Sequence, residues 1–329
     1  MNNLRESFLF ALKKPDVAAK RAVLKFQGYT LPRRLYIGVT YKCQCRCAHC
    51  AVGASQARQN ELLAEEIKNI IKDAKKYLIP RVTFIGGEPL LREDITELVA
   101  CATASGLEAS IFTNGILLGN GMVRELKKAG LRKCNISLDS SYPEVHDTGR
   151  GYKGCFERTT GGIRKLAEAG IGFSIWTIAS KEDVANGLAD MKRLIQMAKG
   201  WKAGYVMILF PMAAGNWNDR TEKETLLTRE EREEIRKLYD PPFVCMEFPR
   251  EDAPCVGGKR FIYIDPVGDV SPCPSIPPKL ANVRQVSLGG VLKNFNKYME
   301  RFNPCAGECA MNKRLFSSEQ EIVTCRKMV

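Results

Sequence analysis

The chain has 329 residues, enough for about two domains or for one large α/β barrel. Hydrophobic residues make up 45% and charged residues 26%, which excludes disordered, collagen-like and disulfide-miniprotein classes. Thirteen cysteines are many for a protein with no use for thiols, and an odd number cannot pair completely into disulfides. Clustered thiols in an intracellular protein more often bind metal or do redox chemistry.

The net charge of +13 is concentrated near the N-terminus, where residues 1–42 carry nine basic and two acidic side chains. The apolar run 8–12 is too short for a signal peptide, and no stretch approaches the ~18 apolar residues of a membrane span, so we expect a cytoplasmic protein. A basic arm can attract nucleic acid, anionic lipid or an acidic substrate. Solvated Lys and Arg on helices that pack against the main domain are the simpler interpretation. Apolar spacing predicts those helices over 4–12 and 16–27.

After Pro32, β-rich segments alternate with helical ones. Strands are predicted at 35–40, 82–85, 109–113, 134–138, 173–178 and 205–210, and helices at 61–77, 93–104, 122–129, 156–169 and 184–199. This alternation predicts a parallel sheet with right-handed crossovers, either open or curled into an incomplete barrel. Chemistry in such sheets takes place at the carboxyl ends of the strands.

The rest of the chain is less regular. A helix predicted at 222–237 is stopped by Pro241 and Pro242. Beyond it the sequence holds six cysteines, a short β-like run at 261–265 and a helical segment at 291–301. So short a segment suggests stabilisation by a metal centre. The predicted parts are basic N-terminal helices at 1–33, the barrel at 34–212, a linker helix at 213–244 and a small C-terminal domain at 245–329.

Four cysteines fall within eight residues directly after the first strand. Cys43, Cys47 and Cys50 have the spacing C-x3-C-x2-C, and Cys45 adds a fourth thiol. Three thiolates on one loop can hold three irons of a cubane cluster and leave the fourth iron open to a non-protein ligand. A zinc site with Cys45 as its fourth ligand is the alternative.

This spacing resembles the signature of the radical S-adenosylmethionine (radical SAM) enzymes, with His49 where that family usually places an aromatic residue. The second strand ends at Gly86-Gly87-Glu88-Pro89, which is similar to the GGEP element that holds the amino group of bound methionine in the family. Two glycines let a backbone approach a ligand, and a carboxylate can pair with an ammonium group. A tight turn before a helix would also use these residues.

Further matches to the family follow at later strand ends. Asn114, Ser137, Asp139 and Arg150 resemble positions around the cofactor. The resemblance places Ser137 and Asp139 near the ribose or carboxylate, and Arg150 near the carboxylate, which a guanidinium can bind bidentately. Each residue alone could be a loop cap. Together, and in this order, they support a resemblance over residues 35–210 that implies a partial (β/α)6 barrel of the radical SAM type.

The C-terminal cysteines resemble the SPASM or shorter twitch extension of radical SAM enzymes, which carries auxiliary 4Fe-4S clusters. The two-cluster form has a C-x2-C pair shortly before the position of Cys305, where this sequence has none, so we expect one auxiliary cluster. A zinc knuckle is the alternative. The implied ligands are Cys255, Cys273, Cys305 and Cys309, and Cys325 or Cys245 could replace one of them.

The resemblance implies an oxidoreductase that cleaves S-adenosylmethionine to methionine and a 5′-deoxyadenosyl radical, which abstracts hydrogen from an unactivated carbon. An auxiliary cluster with no vacant iron suits net oxidation of the substrate. We expect a small anionic biosynthetic intermediate of tetrapyrrole or cofactor-pathway type, and a flavodoxin- or ferredoxin-type electron donor. The N-terminal arm would allow weak contact with a membrane surface.

Two alternatives remain open. One is a maturase of a ribosomally made peptide that acts with a separate leader-binding partner. The other is a zinc-stabilised nucleic-acid-binding protein, which would explain the cysteines and the charge but not the strand–helix repeats with Gly-Gly-Glu-Pro at a strand end. We therefore do not expect nucleic acid as a partner.

Overall fold

The computed structural model describes residues 15–217, 225–248, 250, 255–276 and 279–299. The predicted first helix, Cys305, Cys309 and Cys325 lie outside the described residues. The strands are β1 (Arg34–Gly38), β2 (Arg81–Ile85), β3 (Glu108–Thr113), β4 (Lys133–Ser137), β5 (Gly172–Ile178), β6 (Val206–Leu209), β7 (Val244–Met246), β8 (Phe261–Ile264), β9 (Asp269–Ser271) and β10 (Ala281–Asn282).

Helices fill most of the connections between these strands. They are α1 (Pro15–Phe26), α2 (Ala64–Lys76), α3 (Ile95–Ala104), α4 (Asn120–Lys128), α5 (Pro143–Arg150), α6 (Cys155–Ala169), α7 (Lys181–Ala185), α8 (Ala189–Gly200), α9 (Arg229–Arg236) and α10 (Leu288–Met299). Short 3₁₀ turns occur at Pro89–Leu91 and Gly215–Trp217.

The described strands form one sheet in the order β10-β9-β8-β1-β2-β3-β4-β5-β6-β7. Strands β1 to β7 are parallel to their neighbours, and β8 joins the other side of β1, also in parallel. Among the described strands the sheet does not close on itself, because β7 and β8 are not hydrogen-bonded to each other. The expectation of a partial α/β barrel is confirmed, and all the barrel strands end at one edge.

The outer face of the sheet carries the apolar core. Alternate strand residues such as Leu35, Val82 and Ile111 are fully buried there. Helix α2 contributes Ile67 and Ile71 to the same cluster. Burial on one face therefore leaves the alternate side chains of each strand on the concave inner face.

The structure divides one predicted helix in two. The segment predicted at 184–199 forms α7 and α8, because Gly187 and Leu188 between them adopt φ angles of +61° and +62°, which interrupt the helical backbone. Helix α9 begins at Arg229, where the Thr228 side chain accepts a hydrogen bond from the Glu231 N–H. In the described part of the chain, no helix has both the length and the apolar composition needed to cross a membrane.

Candidate active site

The loop that carries Cys43 to Cys50 is held against the end of β2. The N–H groups of Gly87 and Glu88 donate to the carbonyls of Thr40 and Lys42 at 2.7 and 2.8 Å. A Cβ on Gly86 would overlap the Thr40 carbonyl oxygen, and one on Gly87 would overlap that of Lys42. The two glycines therefore let the end of β2 lie close to the backbone of the cysteine loop.

The end of helix α5 supports the same loop from another side. The Arg46 N–H donates to the Arg150 carbonyl at 2.9 Å, and the Ala48 N–H donates to the Gly149 carbonyl at 3.1 Å. Gly151 follows with a φ of +58°, and a Cβ at this position would lie 2.7 Å from the Arg46 carbonyl oxygen. Helix α5 thus ends in direct backbone contact with the cysteine loop.

A third support comes from the turn after β6, which the sequence analysis missed. The Asn216 N–H donates to the Cys50 carbonyl at 3.0 Å, and the Asn216 side-chain amide donates to the Cys47 carbonyl at 2.8 Å. Trp217 places its ring 5.8 Å from the His49 ring. In the sequence, only the position of this turn after a predicted strand indicated that it lies near the site.

The four thiols of the loop are not equivalent. Cys43, Cys47 and Cys50 are partly exposed, whereas Cys45 is buried beside Cys155. The Cys45 thiol hydrogen-bonds Cys43 and Cys47 and lowers the pKa of both; in Cys47, where the positive charge of Arg150 also helps, the pKa falls to about 6. Such donors favour the thiolate form, which is the form that binds iron.

Cys155 is the first residue of helix α6, is almost completely buried and hydrogen-bonds the Cys45 thiol. That hydrogen bond is the largest influence on Cys45, whose pKa is raised. Cys45 and Cys155 therefore contact each other on the buried side of the cysteine loop.

Asp139 and Arg150 form a buried ion pair beside the loop. Arg150 Nη2 lies 2.8 Å from Asp139 Oδ2, and His49 Nε2 lies 3.5 Å from the same oxygen. Burial opposes ionisation of Asp139, but the positive charge of Arg150 holds its pKa below the ordinary value. Burial lowers the pKa of His49 to about 4. The imidazole is therefore neutral near pH 7.

Glu88 is completely buried at the end of β2. Its Oε1 accepts hydrogen bonds from the Thr113 hydroxyl at 2.7 Å and the Leu90 N–H at 3.1 Å, and Oε2 accepts one from the Asn114 N–H at 2.9 Å. Burial raises its pKa to about 7. Its carboxyl group thus supports the loop after β3, while contact with an ammonium group stays a prediction.

Asn114 links the loop after β3 to the cysteine loop. Its side-chain amide donates to Cys45 Sγ at 3.5 Å, and its Oδ1 accepts from Gln44 at 3.3 Å. Ser137 is partly exposed at the end of β4, on the same edge of the sheet. The residues predicted around the cofactor therefore gather at the carboxyl ends of β1 to β4 and on α5.

The donor set fits an iron–sulfur cluster. Three partly exposed thiols share one loop, and N–H groups reach two of the sulfurs: the Ala54 N–H donates to Cys50 at 3.3 Å and Arg150 donates to Cys47 at 3.7 Å. No three Cys, His, Asp or Glu side chains among the described residues form a group that could hold a metal ion. The cysteines of a cubane each hold a different iron, so they need not converge on one point.

Two of the C-terminal cysteines lie near each other. A Cβ on Gly257 would be 3.6 Å from Cys255 Sγ and 3.5 Å from Cys273 Cβ. Cys245 lies on β7, where its thiol donates to the Pro242 carbonyl at 3.5 Å. The described residues thus bring together Cys255 and Cys273 as one part of the predicted auxiliary ligand set.

The sequence profile of the Radical SAM superfamily matches residues 37–183, which include the cysteine loop and strands β2 to β5. This match agrees with the open parallel sheet and with the three-cysteine loop at its carboxyl edge. Residues 37–183 are therefore similar in sequence to the radical SAM domain.

Curated relatives extend the similarity beyond this domain. An AdoMet-dependent heme synthase of Methanosarcina barkeri is 28% identical over 85% of this chain and 88% of its own length. An Fe-coproporphyrin III synthase of the same organism is 31% identical over 62% of this chain and 52% of its own length. A PqqA peptide cyclase of Xanthomonas axonopodis is 26% identical over 80% of this chain and 74% of its own length.

Solved structures show the same fold. Streptococcus suis SuiB bound to its precursor peptide SuiA superposes with a TM-score of 0.70, covering 90% of this chain and 76% of SuiB at 17% identity. SuiB bound to S-adenosylmethionine superposes with a TM-score of 0.68, covering 90% of this chain and 75% of SuiB. At this identity the similarity concerns the fold.

Proposed function

We propose that the protein reductively cleaves S-adenosylmethionine and oxidatively modifies an unactivated C–H position of a small carboxylated tetrapyrrole. The observation that carries the radical chemistry is the Cys43, Cys47 and Cys50 loop, whose sulfurs receive hydrogen bonds from the protein at the carboxyl edge of the sheet. A 4Fe-4S cluster bound there would supply the electron that cleaves S-adenosylmethionine into methionine and a 5′-deoxyadenosyl radical.

The surrounding residues have distinct parts in this proposal. Cys43, Cys47 and Cys50 would hold the cluster. Arg150 stabilises the thiolate of Cys47 and keeps Asp139 ionised, so the pair offers both charges to an amino-acid headgroup. Glu88 fixes the loop of Asn114, and Asn216 holds the Cys47 and Cys50 carbonyls of the cysteine loop.

The substrate class rests on the relatives. The AdoMet-dependent heme synthases match 80–85% of this chain, and the Fe-coproporphyrin III synthase also acts in the chemistry of iron tetrapyrroles, as its name states. The net charge of +13 suits a substrate with several carboxylates. Both observations favour a carboxylated iron tetrapyrrole over a neutral substrate.

Peptide maturation is the second candidate function. The PqqA peptide cyclase of Xanthomonas axonopodis matches 80% of this chain, and the fold superposes on SuiB, which binds a precursor peptide. A leader-binding partner would then present the peptide to the carboxyl edge of the sheet.

An anaerobic assay separates these candidates. Reconstituted protein is mixed with S-adenosylmethionine and dithionite, with either Fe-coproporphyrin III or a PqqA-type peptide added. We expect 5′-deoxyadenosine in both mixtures, and a change of substrate mass only with the porphyrin. Absence of 5′-deoxyadenosine from iron-loaded protein would contradict the radical chemistry, and modification of the peptide alone would favour the second candidate.

We further propose one auxiliary 4Fe-4S cluster on Cys255, Cys273, Cys305 and Cys309, or with Cys325 or Cys245 in place of one of them. The shared approach of Cys255 and Cys273 to Gly257 supports it. Anaerobic analysis should find about eight irons per chain, falling to about four in a Cys43→Ala, Cys47→Ala, Cys50→Ala variant. Bound zinc without visible absorption would instead support the zinc alternatives.

The remaining interactions are proposed from the sequence. A flavodoxin- or ferredoxin-type protein would supply the electron, and the basic arm would give weak contact with anionic lipid. Flotation with anionic liposomes, with and without residues 1–30, tests the arm. Equal flotation of both forms would count against membrane contact.

A further inference from the structure

Five aromatic side chains form a continuous row on the concave face of the sheet. They occupy the strand positions that alternate with the buried outer-face residues, and every one of them keeps part of its surface exposed. Each ring contacts the next ring in the row, with centroids 4.9, 6.1, 4.5 and 6.5 Å apart. In order, its members are Phe261, Tyr36, Phe112, Trp176 and Tyr205.

Small polar residues make room for this row. Tyr36 and Phe112 meet over β2, and Phe112 and Trp176 meet over β4. The inner-face side chains between the rings are hydrogen-bonded to one another, Thr83 with Ser110 at 2.8 Å and Ser174 with Asn135 at 3.0 Å. These polar side chains bond to one another, and the rings form an apolar row in which neighbouring planes are inclined by 51–83°.

The row reaches the candidate cofactor site. Trp176 is the register partner of Ser137, and its carbonyl accepts a hydrogen bond from the Leu138 N–H at 3.0 Å. Ser137 and Asp139 lie on the loop end of β4, beside Arg150. A molecule lying on Trp176 would therefore be adjacent to the position proposed for S-adenosylmethionine.

Glu247 lies just past the end of β7 and alternates with the buried residues Met246 and Phe248, which places its side chain on the concave face. Its Oε2 is enclosed and has no hydrogen-bond partner among the described residues. Burial raises the pKa of Tyr36, and the charge of Glu247 adds to that increase. Since five strands separate β1 from β7 in the sheet, these two side chains can influence each other only across the interior.

Strand β8, on the side of β1 away from β7, carries a similar group. The Tyr263 hydroxyl on β8, the register partner of Tyr36, is also enclosed without a hydrogen-bond partner in the described part of the chain. Burying a carboxyl without a partner costs stability, and burial raises the pKa of Glu247 to about 7. Such groups are typical of sites where a ligand supplies the missing partner.

We propose that the aromatic row and the Glu247 carboxyl form the substrate-binding surface of the barrel, and that this surface takes a flat conjugated ring bearing a carboxyl group. The ring stacks on Trp176 and meets Phe112 edge-to-face, because the Phe112 plane lies at 83° to that of Trp176. The ligand carboxyl shares a hydrogen bond with Glu247 Oε2. This inference rests on the proposed tetrapyrrole function and identifies the residues that recognise the tetrapyrrole.

Equilibrium dialysis of the reconstituted holoenzyme against Fe-coproporphyrin III tests the surface without requiring turnover. We expect one porphyrin per chain. Trp176→Leu and Glu247→Leu should each weaken binding about tenfold, equivalent to about 1.4 kcal/mol. Glu247→Gln should bind nearly as tightly as the wild type, because its amide can donate to a carboxylate. Tyr29→Leu removes an aromatic ring that stacks on Tyr77 at 5.4 Å, away from the row, and should bind normally.

Thermal unfolding of the same variants distinguishes a binding role from a structural one. Glu247→Leu should melt at or above the wild-type temperature, because it removes an enclosed carboxyl oxygen that has no partner among the described residues. Tight binding by the wild type with no loss in Trp176→Leu and Glu247→Leu would overturn this inference and leave the proposed function standing. Failure of the wild type to bind the porphyrin would overturn both.

Discussion

Arg150 contacts two charged groups at once, with Nη2 2.8 Å from Asp139 Oδ2 and Nη1 3.7 Å from Cys47 Sγ. A single guanidinium thus connects the end of α5, the loop after β4 and the cysteine loop. Arg150 is only 8% exposed. Removing one partner of such a pair leaves the other charge buried without compensation.

Arg150→Met should therefore destabilise the fold strongly. We expect the free energy of unfolding to fall by about 3–5 kcal/mol, because the Asp139 carboxylate loses its cation. Adding Asp139→Asn to the same chain should recover much of that loss. Anaerobic urea unfolding near neutral pH measures all three proteins, and equal stability of Arg150→Met and the wild type would show that the pair is not a buried ion pair.

Glu88 should make stability depend on pH. Its pKa rises from 4.5 to about 7 on burial, so the folded state holds a proton that the unfolded chain releases in that interval. Stability from this group is present below pH 4.5 and is lost as the pH rises through 7. At 1.36 kcal/mol per pKa unit, the full loss is about 3 kcal/mol.

The comparison with Glu88→Gln isolates this effect. The stability advantage of the wild type over Glu88→Gln should shrink by about 3 kcal/mol between about pH 4 and pH 8. Glu125→Gln, at an exposed position of α4, is the control and should show a nearly constant difference. A constant difference for Glu88→Gln as well would mean that its carboxyl is not protonated in the folded protein.

The strand ends and the cysteine loop could be predicted because they depend on local patterns. β-rich runs alternate with helical ones, and parallel strands bring their carboxyl ends to one edge. This brings Cys43, Glu88 and Asn114 together although up to 71 residues separate them. The break between α7 and α8 also had a local signal in Gly187, although Leu188 in a left-handed conformation had none.

The rest depends on long-range contacts that no local pattern encodes. Cys45 and Cys155 meet because α6 begins beneath the loop, and Asn216 reaches Cys47 across 169 residues. The row of rings follows from the curvature of the sheet, which brings together Phe112 and Trp176 from strands that are not neighbours. The enclosed position of Glu247 likewise requires the whole barrel.

Gly215 offers a test of the turn that supports the cysteine loop. It has a φ of +57°, and a Cβ would overlap the Cys50 carbonyl oxygen. Gly187 has a φ of +61° with no atom within 4 Å of its Cβ position. Both substitutions by alanine incur about 1–2 kcal/mol of backbone strain, but only Gly215→Ala also pushes the turn against the loop.

We expect Gly187→Ala to keep its full iron content and Gly215→Ala to lose a substantial part of its catalytic cluster. Iron and sulfide analysis after identical anaerobic reconstitution compares the two. Circular dichroism shows whether the barrel remains folded in each. Full iron retention in Gly215→Ala would show that the turn is not needed to hold the cysteine loop.

Cys45 distinguishes a three-thiolate cluster from a four-thiolate zinc site. Its side chain is 2% exposed and packs on Cys155 and Ile116, whereas Cys43, Cys47 and Cys50 stay partly exposed. We therefore expect Cys45→Ala to retain nearly all of the iron and the visible absorption of the wild type. Cys47→Ala, the matched control, should lose about four irons per chain. An equal loss of iron in both variants would show that Cys45 is a metal ligand. Its buried thiol would then have to become accessible when the metal binds.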